Sequence, residues 1–299
     1  MSYRLKSGEL PSDGLKRIFR QEIEAAVHLC RHPATERGLT VHEVRKHLKK
    51  LRAAIRLAAG EVGQRRHRRE DRGLRQVGRL VSDLRDAQVR LQTLVQLRDI
   101  AIRRTGKNPF PRIEDLLSIE RDSFSAAFAG WQAHAIPMLE SVGERLGRWP
   151  TETLGWKQIC DAVAKTYRSG QRRLARTIKD PEPECFHRWR QRMKDLWYQL
   201  RILQPLNRLV LEEIADDAGT LGHLLGRSHD FGFLLSRLEN ERGDEALQTE
   251  IARLEKLVRK RSAKLQLDAL ELGRRFYAES TKAFAKRISI FVEKKTRLY

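Results

Sequence analysis

The chain has 299 residues, enough for one large domain or two ordinary ones with a sizeable core. Lysine and arginine number 60 against 39 aspartate and glutamate, so the formal net charge is +21, a field that attracts nucleic acid, anionic membranes or polyphosphates. Neither a signal-peptide core, a long uncharged apolar run nor a cysteine framework is visible, so we expect a soluble protein of a reducing compartment.

Strong helix formers fill the long segments, and the alternating β-branched runs typical of strands are missing. The pattern predicts an all-α fold. In chain order, we predict helices over 12–32, 40–59, 70–104, 112–146, 156–179, 183–203, 207–240 and 244–297, the last as a pair or as one long helix. Stretches rich in proline and glycine, such as RTGKNPFPR and GRWPTETLG, separate them.

The two halves of the chain repeat each other in three segments that occur in the same order. VHEVRKHLKKLRAAIRL, from Val41, aligns with FHRWRQRMKDLWYQLRI, from Phe186. Upstream, KRIFRQEI aligns with AKTYRSGQ; downstream, VGRLVSDLRDAQVRLQTL aligns with LGHLLGRSHDFGFLLSRL. We therefore predict an internally duplicated helical unit, with a first half over 1–150 and a second half over 151–299.

Each copy of the central helix carries a cationic stripe directly beside its apolar stripe, whereas a solvated face would lie opposite. The first stripe consists of His42, Arg45, Lys49, Arg52 and Arg56. The second consists of His187, Arg190, Lys194 and Arg201. Packing the apolar stripes into two bundles would bring the cations together along a groove about 21 Å long, whose low-dielectric walls focus the field on an anion. Snorkelling of long side chains over the core explains one such stripe equally well, but the matched repetition favours a groove with a function.

The two HxxRxxxK helices, the duplication and the LRDAQV segment resemble the CHAD family, a family of histidine-bearing α-helical domains, over roughly residues 10–297. The resemblance implies two antiparallel helical bundles, related by pseudo-twofold symmetry, around a basic central groove. It also implies non-catalytic binding of inorganic polyphosphate, without a cofactor. Besides the two stripes, the predicted polyphosphate-binding residues are Arg17, Arg20, Arg85, Lys165, Arg168, Arg172 and His229. In the second half Trp197 stands where Arg52 stands and SHDFGF replaces LRDxxV, which leaves open whether both halves bind equally.

Non-specific binding of nucleic acid is the alternative function, because the basic run GQRRHRREDRGLR over 63–75 suits a phosphate backbone. However, zinc-finger spacing and an aromatic strand platform for base stacking are both missing. Metal catalysis is disfavoured because His42 and His47 are five residues apart and face different sides of a helix. We expect a cytoplasmic protein without catalytic activity, metal or membrane contact, associated with polyphosphate granules. Its oligomeric state and the consequence of binding stay open.

Overall fold

The computed structural model describes residues 3–6, 8–35, 37–127 and 130–296, and within them it contains α-helices and one 3-10 turn but no strand. The first half holds α1 (Pro11–Arg31), α2 (Arg37–Leu57), α3 (Ala59–Val62), α4 (Gln64–Leu80), α5 (Ser82–Thr105), α6 (Pro111–Ala127) and α7 (Trp131–Gly147). The second half holds α8 (Trp156–Lys179), α9 (Pro183–Leu203), the 3-10 turn (Gln204–Leu206), α10 (Arg208–Leu238), α11 (Glu245–Phe276) and α12 (Thr281–Thr296). The predicted all-α fold is confirmed.

Local side chains explain where several helices begin and end. The carboxylate of Asp244 accepts a hydrogen bond from the backbone N–H of Leu247 (2.9 Å), which caps the start of α11. Helix α5 ends at Gly106, whose φ of +73° is the left-handed conformation that glycine adopts without strain. Glu250 of α11 supplies a cap across the fold, because its carboxylate accepts from the backbone N–H groups of the first turn of α6 (3.1–3.4 Å).

Two of the predicted helices are each two helices in the structure. The predicted helix over 70–104 begins earlier and breaks at Val81, which leaves the helical conformation at φ −118° and ψ 14°. The predicted helix over 112–146 divides before Gly130, at φ +92°; residues 128 and 129 lie outside the described residues, as does the predicted end at 297. The last predicted helix is the pair α11 and α12. The helices over 156–179 and 183–203 are confirmed at both ends.

The buried apolar residues form two clusters, and each draws on both halves of the chain. The larger cluster joins α1, α2 and α7 to α8, α9, α10 and α12, and includes the fully buried rings of Tyr167 and Trp189. The smaller cluster joins α5 and α6 to α10 and α11, around Phe110 and Phe231. The halves therefore share their cores, and the predicted division at residue 150 remains a prediction, as do the duplication and its twofold axis.

The apolar stripes of α2 and α9 are buried as the sequence predicts. In α2 they are Val41, Val44, Leu48, Leu51 and Ile55, all at most 4% exposed. In α9 they are Phe186, Trp189, Met193, Leu196 and Leu200, all at most 5% exposed. The two helices pack against each other, and Gln199 of α9 donates a hydrogen bond to the backbone carbonyl of Ala53 in α2. This packing directs the neighbouring cationic stripes toward one region. None of the described helices is long and apolar enough to cross a membrane.

Candidate anion-binding cavity

A cavity of about 1160 Å³ lies among α2, α5, α9 and α10, with one side chain from α4. Three aspartates line it, against eleven lysines and arginines. These cations are Arg45, Lys46, Lys49, Arg52, Arg75, Arg85, Arg103, Arg190, Arg192, Lys194 and Arg227. We call this space the central cavity. Its lining has a strong excess of positive charge, which the surrounding protein concentrates on whatever the cavity contains.

One wall of the central cavity is a long polar stripe on α5. Arg85, Gln92, Gln96, Asp99 and Arg103 all line it, at spacings of seven, four, three and four residues that keep them on one helix face. From the first arginine to the last the stripe runs about 27 Å at 1.5 Å per residue. The cavity is thus elongated, and its length suits a linear anion better than a single phosphate.

A glycine of α10 lets one cation of α9 lie close to the neighbouring helix. Gly222 of α10 has its backbone against Lys194, and a Cβ at this glycine would lie 3.3 Å from the lysine Cε. At the aligned position in the first half, the backbone carbonyl of Gly78 accepts a hydrogen bond from Arg45 (3.0 Å). Both glycines belong to the predicted repeat. A larger residue at Gly222 would displace the lysine from its place at the cavity wall.

The central cavity brings together half of the sixteen residues that the sequence predicts for polyphosphate binding. These eight are His42, Arg45, Lys49, Arg52, Arg85, His187, Arg190 and Lys194. The other eight do not line it, and they are Arg17, Arg20, Arg56, Lys165, Arg168, Arg172, Arg201 and His229. Two of these eight contact lining residues without lining the cavity themselves. His229 contacts His187, and Arg201 lies 5.1 Å from the ring of Trp197.

Acidic partners and helix orientation account for the residues outside the cavity. Arg17 donates two hydrogen bonds to Glu9 (2.6 and 2.7 Å) and so holds the N-terminal segment against α1. Arg56 lies against Asp195 of α9 (3.4 Å), which itself lines the cavity. The remaining four, Arg20, Lys165, Arg168 and Arg172, are solvent-exposed on α1 and α8. These helices pack their apolar faces on α2 and α9, so the cations on their other faces point away from the cavity.

Several lining cations escaped the sequence analysis. Arg192 lies on α9 between the predicted positions Arg190 and Lys194. Arg103 lies on α5 beyond the LRDAQV segment. Arg227 shares one face of α10 with His223 and Asp230, at spacings of four and three residues, and all three line the cavity. This spacing, like that of the polar stripe on α5, is visible in the sequence. However, the spacing identifies a cavity wall only once the position of the neighbouring helices is known.

The cations at the centre of the cavity form no ion pair with an acid among the described residues, unlike those near Asp71 and Asp195. Asp71 pairs with Arg52 and Arg75 (both 2.7 Å), whereas Asp195 pairs with Arg192 (3.1 Å) and Arg56. By contrast, the side chains of Lys49, Arg85 and Arg190 make no hydrogen bond or ion pair with any other residue that the structure describes. The ammonium of Lys194 lies over the ring of Trp197, 4.4 Å from its centre. Asp230, which also lines the cavity, attracts these cations without forming an ion pair with any of them, so the fold neutralises the four only in part.

Comparison with known proteins identifies the family. The family model of the CHAD domain matches residues 22–239 of the chain. The chain belongs to the CHAD domain family. A solved structure, the crystal structure of the CHAD domain from the plant Ricinus communis, is similar with a TM-score of 0.71 and 18% sequence identity, covering 93% of this chain and 94% of that one. A comparison with curated proteins finds no match. The predicted resemblance is confirmed, and so is the CHAD fold.

Two lysines of this CHAD domain have unusual acidity. Burial within the cavity walls, followed by repulsion from Arg190 and Arg45, lowers the pKa of Lys49 to about 7. Burial, followed by repulsion from Arg190, lowers the pKa of Lys194 to about 8. By its accessible surface Lys49 is exposed, but that surface faces the interior of the cavity, where protein walls and further cations surround the ammonium group. An anion placed there would reverse both effects and favour the charged ammonium.

The surroundings of the histidines that lead the two stripes disfavour the cationic form of each imidazole. Burial and the nearby Arg85 lower the pKa of His42, whereas burial and Arg190 lower that of His187. His229, whose Nδ1 lies 3.3 Å from Nδ1 of His187, has its pKa lowered to about 4 by burial and by Arg190. A neutral imidazole still donates one N–H. These histidines can therefore hydrogen-bond an anion in the neutral form, and a bound anion would favour the cationic form.

The described residues contain no cluster of three or more histidine, cysteine, aspartate or glutamate side chains able to hold a metal ion. The three cysteines are buried, and burial raises the pKa of Cys30 to about 11, which makes its thiol a poor nucleophile. The chemistry that the cavity offers is therefore the binding of anions by guanidinium, ammonium and imidazole groups. Its arginines can contact phosphate oxygens in pairs, and its lysines act as point charges.

Proposed function

We propose that this CHAD domain binds inorganic polyphosphate in the central cavity and does so without catalysis. The observation that supports the proposal is the set of four central cations, Lys49, Arg85, Arg190 and Lys194, which the fold gathers near one carboxylate, that of Asp230, and without an ion pair to any acid that the structure describes. Gathering like charges costs free energy, so a fold that keeps them unneutralised is typical of a binding site. A linear polyanion would supply the missing negative charge.

The shape of the cavity supports polyphosphate over nucleic acid as the ligand. The lining is about 27 Å long on α5 and consists mainly of cationic and amide side chains. Its exposed aromatic surface is limited to Trp197, Tyr198 and Phe231, and the ring of Trp197 is already engaged by Lys194 and Arg201. Proteins that hold single strands usually stack successive bases on aromatic rings. A thin chain of phosphates without bases needs only the cations.

The biological consequence we propose is attachment of the cytoplasmic protein to polyphosphate granules. A protein that holds one stretch of a long chain in its cavity is carried wherever that chain accumulates. This attachment requires neither an active site nor a membrane anchor.

The test is a competition titration of the protein with long-chain polyphosphate against single-stranded RNA and DNA of matched phosphate number, at several salt concentrations. We compare the wild type with Lys49→Ala/Arg190→Ala, which removes two unpartnered cations and leaves Arg85 beside Asp230. The matched control is Arg168→Ala/Arg172→Ala, which removes two exposed cations outside the cavity. Loss of two charge-assisted contacts predicts an affinity for polyphosphate about 100-fold weaker or more.

A stability measurement separates binding from folding in the same variants. Because Lys49 and Arg190 repel each other and contact no acid, their removal should keep or raise the melting temperature while binding falls. A residue needed for the fold would do the opposite. Equal losses in the cavity variant and in the control, or equal competition by nucleic acids in the wild type, would show generic attraction of polyanions and refute the proposal.

A further inference from the structure

The outward face of α4 carries six arginines and no acid. Helical geometry places all six within a sector of about 120°. They are Arg65, Arg68, Arg69, Arg72, Arg75 and Arg79, and all are solvent-exposed. The acids of this helix, Glu70 and Asp71, are buried on its other side. Glu70 binds Arg145 of α7 (2.7 Å) and Asp71 binds Arg52 of α2. Apart from Arg75, which pairs with Asp71 (2.7 Å), the arginines of the outward face therefore have little compensation for their charge.

Four of these arginines line a shallow basin on the outer surface. Arg65, Arg68, Arg69 and Arg72, which we call the arginine quartet, surround a space of about 780 Å³ together with Arg145. The close approach of α7 at Gly73, where a Cβ would lie 3.0 Å from Val142, brings Arg145 to the edge of this basin. The charge of Arg145 is already neutralised by Glu70, so the quartet supplies the field of the basin.

The quartet has almost no compensation within the protein. The one ion pair found for it among the described residues is a long contact of 3.9 Å between Arg69 and Glu70. Arg65, Arg68 and Arg72 have no acidic partner in the same part of the chain. Cations three and four residues apart on a helix repel each other. As in the central cavity, a polyanion would relieve this repulsion.

A continuous series of arginines joins the basin to the central cavity. Arg75 lines the cavity, and its guanidinium shares Asp71 with Arg52 of the cavity wall. Arg72 lies one turn before Arg75 on the same face, and Arg68 lies one further turn away. Each step brings neighbouring side chains within about 5–6 Å at Cβ. A phosphate chain that leaves the cavity past Arg75 thus meets the quartet next.

We propose that the arginine quartet is a second phosphate-binding site, which holds the part of a long polyphosphate chain that emerges from the central cavity. This inference rests on the proposed function. The second site predicts a dependence on chain length that the cavity alone does not predict. Chains short enough to lie inside the cavity do not reach the quartet, whereas long chains bind both sites. The observation that favours polyphosphate over nucleic acid here is the continuity with the central cavity, together with the absence of an aromatic ring on this face of α4.

The experiment measures the affinity of the full chain for short-chain and for long-chain polyphosphate at one salt concentration. The test variant is Arg65→Ala/Arg68→Ala/Arg69→Ala/Arg72→Ala. The matched control removes the same number of charges from exposed positions of α11, at Arg253→Ala/Lys256→Ala/Lys260→Ala/Lys264→Ala. Both sets lie on solvent-exposed helix faces, where alanine favours the helix, so both variants should fold.

We expect the quartet variant to bind long chains about tenfold more weakly or worse, to bind short chains like the wild type, and to differ from the α11 control. Unchanged affinity for long chains, or an equal loss for both lengths, would overturn the proposal. Loss of RNA binding with long-chain polyphosphate unaffected would also overturn it, and would make α4 a nucleic-acid surface.

The cavity variant Lys49→Ala/Arg190→Ala, measured beside these, separates the two proposals. If this variant binds both chain lengths like the wild type while the quartet variant loses long chains, the quartet is a binding site and the proposed function of the cavity fails. If the cavity variant loses both lengths and the quartet variant loses neither, the cavity is the site and the quartet proposal fails.

Discussion

Binding of polyphosphate should be coupled to the uptake of protons by the lysines of the central cavity. In the unliganded protein the pKa of Lys49 is lowered to about 7 and that of Lys194 to about 8. Phosphate oxygens next to these ammonium groups favour the charged form and raise both pKa values toward the ordinary value of lysine. The ligand therefore binds together with the protons that the free protein lacks.

The size of the effect follows from the two pKa values. At pH 8 the free protein lacks about 0.9 proton at Lys49 and about 0.5 proton at Lys194, so binding should take up as much as about 1.4 protons. The sign is fixed: affinity is greatest below pH 7 and decreases as the pH rises through 7 and 8. Near pH 8 the logarithm of the association constant should fall by as much as about 1.4 per pH unit. Salt screens the repulsion from Arg190 and Arg45, so proton uptake decreases at high ionic strength.

Isothermal titration calorimetry in two buffers with different ionisation enthalpies measures this uptake directly. The matched variant is Lys49→Arg, which keeps the charge but cannot lose its proton at pH 8. Its uptake should fall to about 0.5 proton, the share of Lys194. Any protons that move on the ligand itself contribute equally to both proteins and cancel in the difference.

One result would refute the reasoning. If the wild type takes up no more protons than Lys49→Arg while both bind tightly, then Lys49 is already charged in the free cavity or the ligand does not approach it. Either case refutes the coupling of binding to proton uptake at Lys49.

Two further predictions concern the stability of the fold and are measured by urea unfolding. Arg145→Ala leaves the buried carboxylate of Glu70 without its main partner and should lower the free energy of unfolding by about 3–5 kcal/mol; Glu70→Gln in the same chain should restore part of it, and no restoration would contradict the role of the pair. Gly273→Ala places a Cβ 2.6 Å from the fully buried ring of Trp189 and should cost about 1–3 kcal/mol, whereas Gly60→Ala, with no atom within 4 Å, should cost nothing; equal effects would contradict the packing.

Much of the fold was predictable because its signals are local. The 3.6-residue period of apolar side chains places α8 and α9 at their observed bounds, and it identifies the buried faces of α2 and α9. The errors lie where the local signal is weak. A single residue with non-helical dihedral angles, Val81, divides a region of continuous helix formers, and Gly130 divides another. The presence of a glycine does not by itself predict a break in a helix, since Gly222 and Gly226 lie within the uninterrupted helix α10.

The sequence by itself determined that the protein is helical, that it is strongly basic, and that two of its helices carry cations beside their apolar stripes. The tertiary structure decided which of those cations face one another. It paired Arg56 with Asp195, on a helix far along the chain, turned Arg168 and Arg172 to the surface, and left Lys49 and Arg190 together without an ion pair to any described acid. The physical reason is the separation along the chain of the residues that interact. Helix formation depends on neighbours within a few residues, whereas the neutralisation of a charge and the pKa of a lysine depend on groups that only the packing of distant helices brings within a few ångströms.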